Sequence, residues 1–229
     1  MQHTRITKFS HRRTLRESRG FSLLELLIVL SLFMVVAGMT FITLQPGLKD
    51  ARANQAFDQV MIQMRVARQR AIAERKQYIV CFGSGSAPTG ALTPMGTPTA
   101  TSVQLFRWDA GTALSAAAQI SASVLPDDIQ FQAVSGVPVN PTSVPDGFGS
   151  GITAIDFDQG VGGGVKNQIM FMPDGSAHDT AGSWNSGIIY VGRTGDLYSS
   201  RAVTLYGATG RIRGWRLINS GGSAKWMEQ

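Results

Sequence analysis

Arg19-Gly20-Phe21-Ser22-Leu23-Leu24-Glu25 opens a run of apolar residues that continues to Leu44. Residues 21 to 44 make 24 positions with Glu25 as their single ionisable side chain. At ~1.5 Å of rise per helical residue they would span about 36 Å, enough to cross a hydrocarbon core of about 30 Å with some tilt. Before this run stand Arg5, Lys8, Arg12, Arg13, Arg16 and Arg19, opposed only by Glu17. That cluster predicts that the N-terminal end stays cytoplasmic and that the chain beyond residue 45 is exported.

Working outward, the net charge of +6 on 229 residues belongs mostly to these first twenty. Residues 21 to 229 keep 15 basic against 14 acidic side chains, so bulk charge gives no ground for a nucleic-acid partner once the leader is removed. The 26 glycines cluster in the second half and favour strands joined by many turns. Cys81 is the single cysteine, so the fold uses no internal disulfide and cysteine content leaves the compartment open.

Three readings compete for the apolar run. A secretory signal peptide could end at Val35-Val36-Ala37, but the run is long for such an h-region and a carboxylate inside it is unfavourable. A plain membrane anchor would make Ser22-Leu23-Leu24-Glu25 a capping box, with Phe21 stapled to Leu26. The third reading uses the whole string. Arg19-Gly20-Phe21-Ser22-Leu23-Leu24-Glu25, after a short basic leader and before an unbroken apolar stretch, resembles the type IV prepilin signal.

That resemblance implies cleavage by a prepilin peptidase between Gly20 and Phe21, and N-methylation of Phe21. It also implies that Glu25 neutralises the amino terminus of a neighbouring subunit and fixes its axial register. The physics agrees with the implied role. A carboxylate in a membrane helix costs about 2.5 to 3.5 kcal/mol on insertion scales and therefore calls for a partner, and the freed amine at Phe21 is a cation one turn away.

Beyond the span, Pro46-Gly47 is expected to loosen or kink the helix, which then resumes. From Leu48 to about Lys76, Phe57, Val60, Met61, Met64, Ala67 and Ala71 recur at spacings of three and four and mark one buried face. Arg52, Asp58, Arg65, Arg70 and Glu74 fall mostly on the other face. Ile62 and Val66 lie off the stripe. Arg68 interrupts it, and must either snorkel to the edge or find a carboxylate.

The period then changes from helical to extended. Tyr78 to Phe82 reads as a strand that places Cys81 inside, and residues 84 to 102, without charge and dense in Ser, Thr, Pro and Gly, read as an exposed loop. Further strands are expected from Val103 to Trp108, Ile129 to Val134, Ile152 to Phe157, Asn167 to Met172, Gly187 to Gly192 and Ala202 to Tyr206. Met172-Pro173-Asp174-Gly175 reads as a turn.

Ala67-Arg68-Gln69-Arg70-Ala71-Ile72 with the strand after it, Phe171-Met172-Pro173-Asp174-Gly175, and Thr209-Gly210-Arg211-Ile212-Arg213 resemble segments of the GspH/FimT pseudopilins. The resemblance implies an α+β, type IV pilin-like fold: one long N-terminal α-helix, membrane-spanning in its first half, packed on a globular antiparallel β domain. The expected organisation is a leader at 1–20, a transmembrane and assembly half-helix at 21–45, an amphipathic half at 46–77 and the β domain at 78–229. The implied function is that of a minor pseudopilin in a type II secretion pseudopilus or a type IV pilus. Its partners would be the prepilin peptidase, other pilins and the inner membrane, with no cofactor.

Little in the remaining sequence frames catalysis. His178 is the one histidine beyond the leader, and no metal-ligand spacing is present. Asp156-Phe157-Asp158 lacks the other ligands of a calcium loop and reads as a strand end and turn. Gly162-Gly163-Gly164 lacks the lysine of a phosphate loop. Arg211, Arg213 and Arg216, with Gly210, Gly214 and Trp215 among them, could hold a phosphate backbone, and the resemblance extends to some FimT-type minor pilins associated with DNA uptake through such a glycine-arginine motif, which gives DNA binding for natural transformation as the alternative function. The plainer reading is a solvated edge strand whose charges prevent sheet-to-sheet association.

Overall fold

The computed structural model describes residues 21–83, 101–139, 142–149, 153–159, 167–179 and 181–229. The leader with Gly20, most of the expected loop at 84–102, Ile152 and Gly162-Gly163-Gly164 lie outside them. The chain falls into two compact units, residues 1–45 and 46–229.

Helix α1 runs from Leu23 to Glu74. Its helical assignment passes through Pro46 and Gly47, so the expected loosening there does not end the helix. A proline removes one backbone donor, and the turns on either side of it can keep theirs. In the first unit, Leu23–Thr40 has a mean hydropathy of 2.4 and none of it is buried. The hydroxyls of Ser31 and Thr40 turn back onto the carbonyls of Ile28 and Val36 at 2.8 and 2.9 Å, which satisfies them without water. At its far end α1 stops where Arg75 takes a left-handed φ of 52°, and Tyr78 Oη then donates to Glu74 at 2.6 Å.

The second unit places the last turns of α1 over two antiparallel sheets. The first holds β1 (Gln77–Phe82), β2 (Ser102–Trp108), β3 (Ala118–Val124), β6 (Gln168–Phe171) and β7 (Ala177–His178), in the order β3-β2-β1-β6-β7. The second holds β4 (Gln130–Phe131), β8 (Ser186–Arg193), β9 (Asp196–Tyr206), β10 (Arg211–Ser220) and β11 (Ser223–Glu228), in the order β11-β10-β9-β8-β4. β5 (Ile155–Gln159) also pairs with β8. Ala177 and Gly207 join the two sheets by a backbone bond of 2.7 Å.

All six apolar positions of the expected stripe are buried, together with Ala53 and Ala56. They meet Tyr78, Val80, Phe82, Val103 and Leu105 of the first sheet and Ile189, Val191, Val203 and Leu205 of the second in one core. The alanines allow helix and sheets to approach closely, and Phe57 lies against Gly214, where an added Cβ would stand 2.3 Å from its ring. Ile62 is exposed, whereas Val66 packs against the core. Cys81 is buried on the outer face of the first sheet, and burial pushes its thiol up to about 12.

Several elements depart from expectation. Only Gln130 and Phe131 of the segment 129–134 enter the ladder, because the chain turns away when Val137 N donates to Val134 O. β9 begins six residues before Ala202. β3 and β11 are strands that the residue pattern does not announce. β10 is an interior strand between β9 and β11, so the reading of its arginines as an edge gives way to one in which β11 forms the edge.

Candidate functional site

The N-terminal segment supplies the first group of candidate residues. Phe21 is 79% exposed and Glu25, also exposed, stands in the first turn of α1. Leu26 N donates to Ser22 O at 3.1 Å, so the turn carrying Glu25 is already helical. A carboxylate there is favoured by the partial positive charge of the helix N-terminus. Within residues 21 to 44 this acid is the single charged side chain.

The second group surrounds Arg68. Its Nε donates to Gly175 O and its Nη2 to Thr209 O, each at 3.0 Å. Gly175, with φ of +84°, closes the Met172–Gly175 turn by donating to Met172 O at 2.8 Å. Gly210, with φ of +60°, presses so close that a Cβ on it would come 1.9 Å from Gly175 O. One arginine on α1 thus pins two turns that only glycine can form at this spacing. The three segments that carry the family resemblance in sequence converge on this point. Arg65, Arg68, Gln69, Thr209, Gly210, Arg211 and Ile212 line a cleft of about 530 Å3 beside it.

The structure does not bring Arg211, Arg213 and Arg216 together. Side chains alternate along β10: Gly214 meets Phe57 of α1, whereas Leu217 packs with Tyr190 and Trp226 on the opposite side. Arg211 and Arg213 therefore share the face turned from α1, and Arg216 takes the other. Arg213 is already engaged, with Nη1 2.5 Å from Asp146 Oδ1, Nε 2.6 Å from Glu228 Oε1 and Nη2 on Glu228 Oε2. Its hydrogen bonds to Glu228, opposed by desolvation and aided by the Asp146 charge, hold the guanidinium above its ordinary pKa. Its Cζ also lies 5.1 Å from the centre of the Trp215 ring. Arg211 is exposed and lines the cleft.

Two arginines that the residue pattern leaves unremarked organise the unit from within. Arg201 is fully buried; Nε and Nη2 donate to Asn54 Oδ1 of α1 at 3.1 and 3.0 Å, and Nη1 to Tyr198 O and Ser200 O. Burial first, then the charge of Arg216, pulls it down to about 10, against Asp50 and Asp196. Arg193 donates to Asp128 at 2.9 Å through Nε and 2.5 Å through Nη2. A charged residue inside an apolar strand run, as in Ser199-Ser200-Arg201-Ala202-Val203, is the signal that would have found Arg201.

Ser176 donates through Oγ to Asp174 at 2.5 Å and stands 2.8 Å from His178 Nε2. His178 Nδ1 faces Gly182 O. The carboxylate thus reaches the serine and not the imidazole, and the serine is buried, so the order of contacts differs from that of a nucleophilic triad. Among the described residues no group of three or more His, Cys, Asp or Glu side chains could hold a metal ion.

Residues 15–41 match the family described as the prokaryotic N-terminal methylation motif. The chain carries a prokaryotic N-terminal methylation motif. No curated protein matches its sequence. Among solved structures, the chain is similar to the type IV minor pilin FimU of Pseudomonas aeruginosa, at 9% identity and a TM-score of 0.39, over 80% of this chain and 96% of that one. A likeness that loose places no individual residue. The methylation motif covers Phe21, Glu25 and the apolar half-helix as far as residue 41, the segment whose physics is least like that of a soluble protein.

Proposed function

We propose that the chain is a minor pseudopilin of the GspH/FimT kind, a structural subunit of a type II secretion pseudopilus or of a type IV pilus. A prepilin peptidase cuts between Gly20 and Phe21 and methylates Phe21, with the N-terminus on the cytoplasmic side of the inner membrane and residues beyond 45 on the periplasmic side. The observation that supports this reading is the methylation motif at residues 15–41 together with Glu25 as the one acid of an apolar helix. Glu25 pairs with the amine of a neighbouring pilin and sets its register, away from water, where Coulomb attraction is less screened. Glu25→Ala is expected to be cleaved normally while its recovery in sheared filaments falls about tenfold, the effect of losing ~1.4 kcal/mol of pairing. Unchanged incorporation of the variant rules out the register role.

The cleft beside Arg68 favours a second reading, a minor pilin that binds DNA for natural transformation. Arg65 and Arg211 are exposed there with Arg68 between two turns. Arg213 is held by Asp146 and Glu228 and contributes little to a phosphate contact. On this reading Arg211→Ala weakens binding of the detergent-solubilised mature chain to duplex DNA and lowers the salt slope by about one, whereas Arg213→Ala leaves the slope unchanged. Binding that is absent, or insensitive to Arg211, leaves the structural reading alone.

A further inference from the structure

The turn after Phe171 carries a chain of hydrogen bonds whose protons are fixed by the atoms that accept them. Asp174 Oδ1 accepts from Ser176 N at 2.8 Å and from Ser176 Oγ at 2.5 Å. Ser176 Oγ stands 2.8 Å from His178 Nε2, and His178 Nδ1 stands 2.8 Å from Gly182 O. The serine in the middle is buried, so its partners are these side chains.

A carbonyl oxygen has no proton to give, and neither has a carboxylate. Gly182 O therefore takes the proton of Nδ1, and Asp174 takes the one proton of the Ser176 hydroxyl. That hydroxyl has none left for the ring, so its contact with His178 is made by a proton on Nε2. Both ring nitrogens donate, which the imidazolium alone does. Asp174 is ionised in this arrangement, since the Ser176 hydroxyl first, and then the Ser176 amide, hold its carboxyl below the usual range.

The charges around the ring suit a cation. Asp174 lies just beyond the serine, and Asp179 follows in the chain with Oδ1 accepting from Ala181 N and Ser183 N at 2.9 Å. β6, which pairs with β7, has no charged side chain, and Trp184 bridges His178 from the other side. Arg68 of α1 reaches the same turn, on Gly175 O.

We propose that His178 is a proton-operated latch on the turn that holds Arg68. As the imidazolium it leaves the Ser176 hydroxyl on Asp174, and the doubly bonded carboxylate keeps residues 174 to 176 in the shape that presents Gly175 O to Arg68. When Nε2 gives its proton to water, the neutral ring keeps Nδ1–H on Gly182 O and becomes an acceptor at Nε2. The Ser176 hydroxyl then turns from Asp174 to the ring, and Asp174 retains the Ser176 amide alone. One bond and one neighbouring positive charge are lost, so the latched turn is the acid-side form and the released turn the alkaline one. Arg68, Thr209 and Gly210 line the cleft, so what loosens Gly175 O reaches the cleft wall. The latch operates whether or not the chain enters a filament.

The test is a proton–nitrogen correlation spectrum of the labelled histidine rings in the detergent-solubilised full chain, with His178 identified by the signals missing from His178→Gln. At about pH 5 both ring nitrogens of His178 are expected to be protonated, and at about pH 8 Nδ1 alone. Hydrogen-exchange protection factors of the Gly175 and Ser176 amides, corrected for the intrinsic pH dependence of exchange, are expected to fall about fivefold over the same interval in wild type. In Ser176→Ala and His178→Gln they are expected to change less than about twofold. A single protonated nitrogen at about pH 5, or a neutral ring protonated on Nε2, overturns the latch. Unchanged protection in wild type shows that ring and turn are uncoupled and overturns it as well. So does an equal change in wild type and both variants, because another group then carries it. Should either variant unfold, the ring spectrum and the protection factors of wild type decide alone.

Discussion

Arg68 shows how one side chain can make distant sequence segments interdependent. Its two hydrogen bonds of 3.0 Å end on carbonyls 107 and 141 residues away, at turns where Gly175 holds a left-handed φ of +84° and Gly210 comes too close to Gly175 O for any Cβ. Removing a donor from two paired carbonyls costs about 1 to 3 kcal/mol, more where water cannot replace it. Arg68→Ala is therefore expected to lower the urea midpoint of the detergent-solubilised chain by that amount of stability. Arg68→Lys should recover less than half of the loss, because an ammonium lacks the planar fork that reaches both carbonyls. Equal stability of all three proteins would show that the turns stand without the arginine. The sequence reading asks Arg68 for a snorkelled path or a carboxylate, and the structure supplies backbone oxygens instead, a partner no residue type can advertise. Arg213 makes the complementary point: its neighbours in sequence suggest a free basic strand, whereas Asp146 and Glu228 reach it from other elements.

At the scale of elements, what was legible follows from how strongly side chains, rather than context, choose the conformation. The amphipathic part of α1 was legible because its apolar spacing of three and four residues is set by helical geometry alone. β1, β2, β6 and β8 were legible from runs of β-branched and aromatic residues. β3 and β11 were not, since Ala, Ser, Gln and Lys have weak strand preference and these strands exist through pairing with β2 and β10. The packing of α1 yields a direct check. Met64 is fully buried at the centre of the stripe, while Ile62 is 56% exposed. Met64→Ala should destabilise the chain by about 2 to 5 kcal/mol, and Ile62→Ala by less than about 0.5 kcal/mol. Similar melting losses for the two would mean that another face of the helix meets the sheets.

For the molecule as a whole, two kinds of surface coexist in one chain. Residues 46–229 enclose a core between α1 and two sheets, with Arg201 fully buried on Asn54 beside it. Residues 23–40 enclose nothing, and their apolar surface is stable only in lipid or against other apolar helices. On the proposed reading, that contrast, together with the lone acid beside the proposed cleavage point, is what assembly of a filament from membrane-stored subunits requires, and it was readable from the first 45 residues. The choice between secretion and pilus was not readable, because both uses rest on the same leader and helix. The measurement that bears most directly on this account is the intact and N-terminal mass of the chain extracted from its native membrane. A mature polypeptide beginning with N-methylated Phe21 is the predicted result; one that begins near Gly38, or that retains the twenty-residue leader, contradicts it.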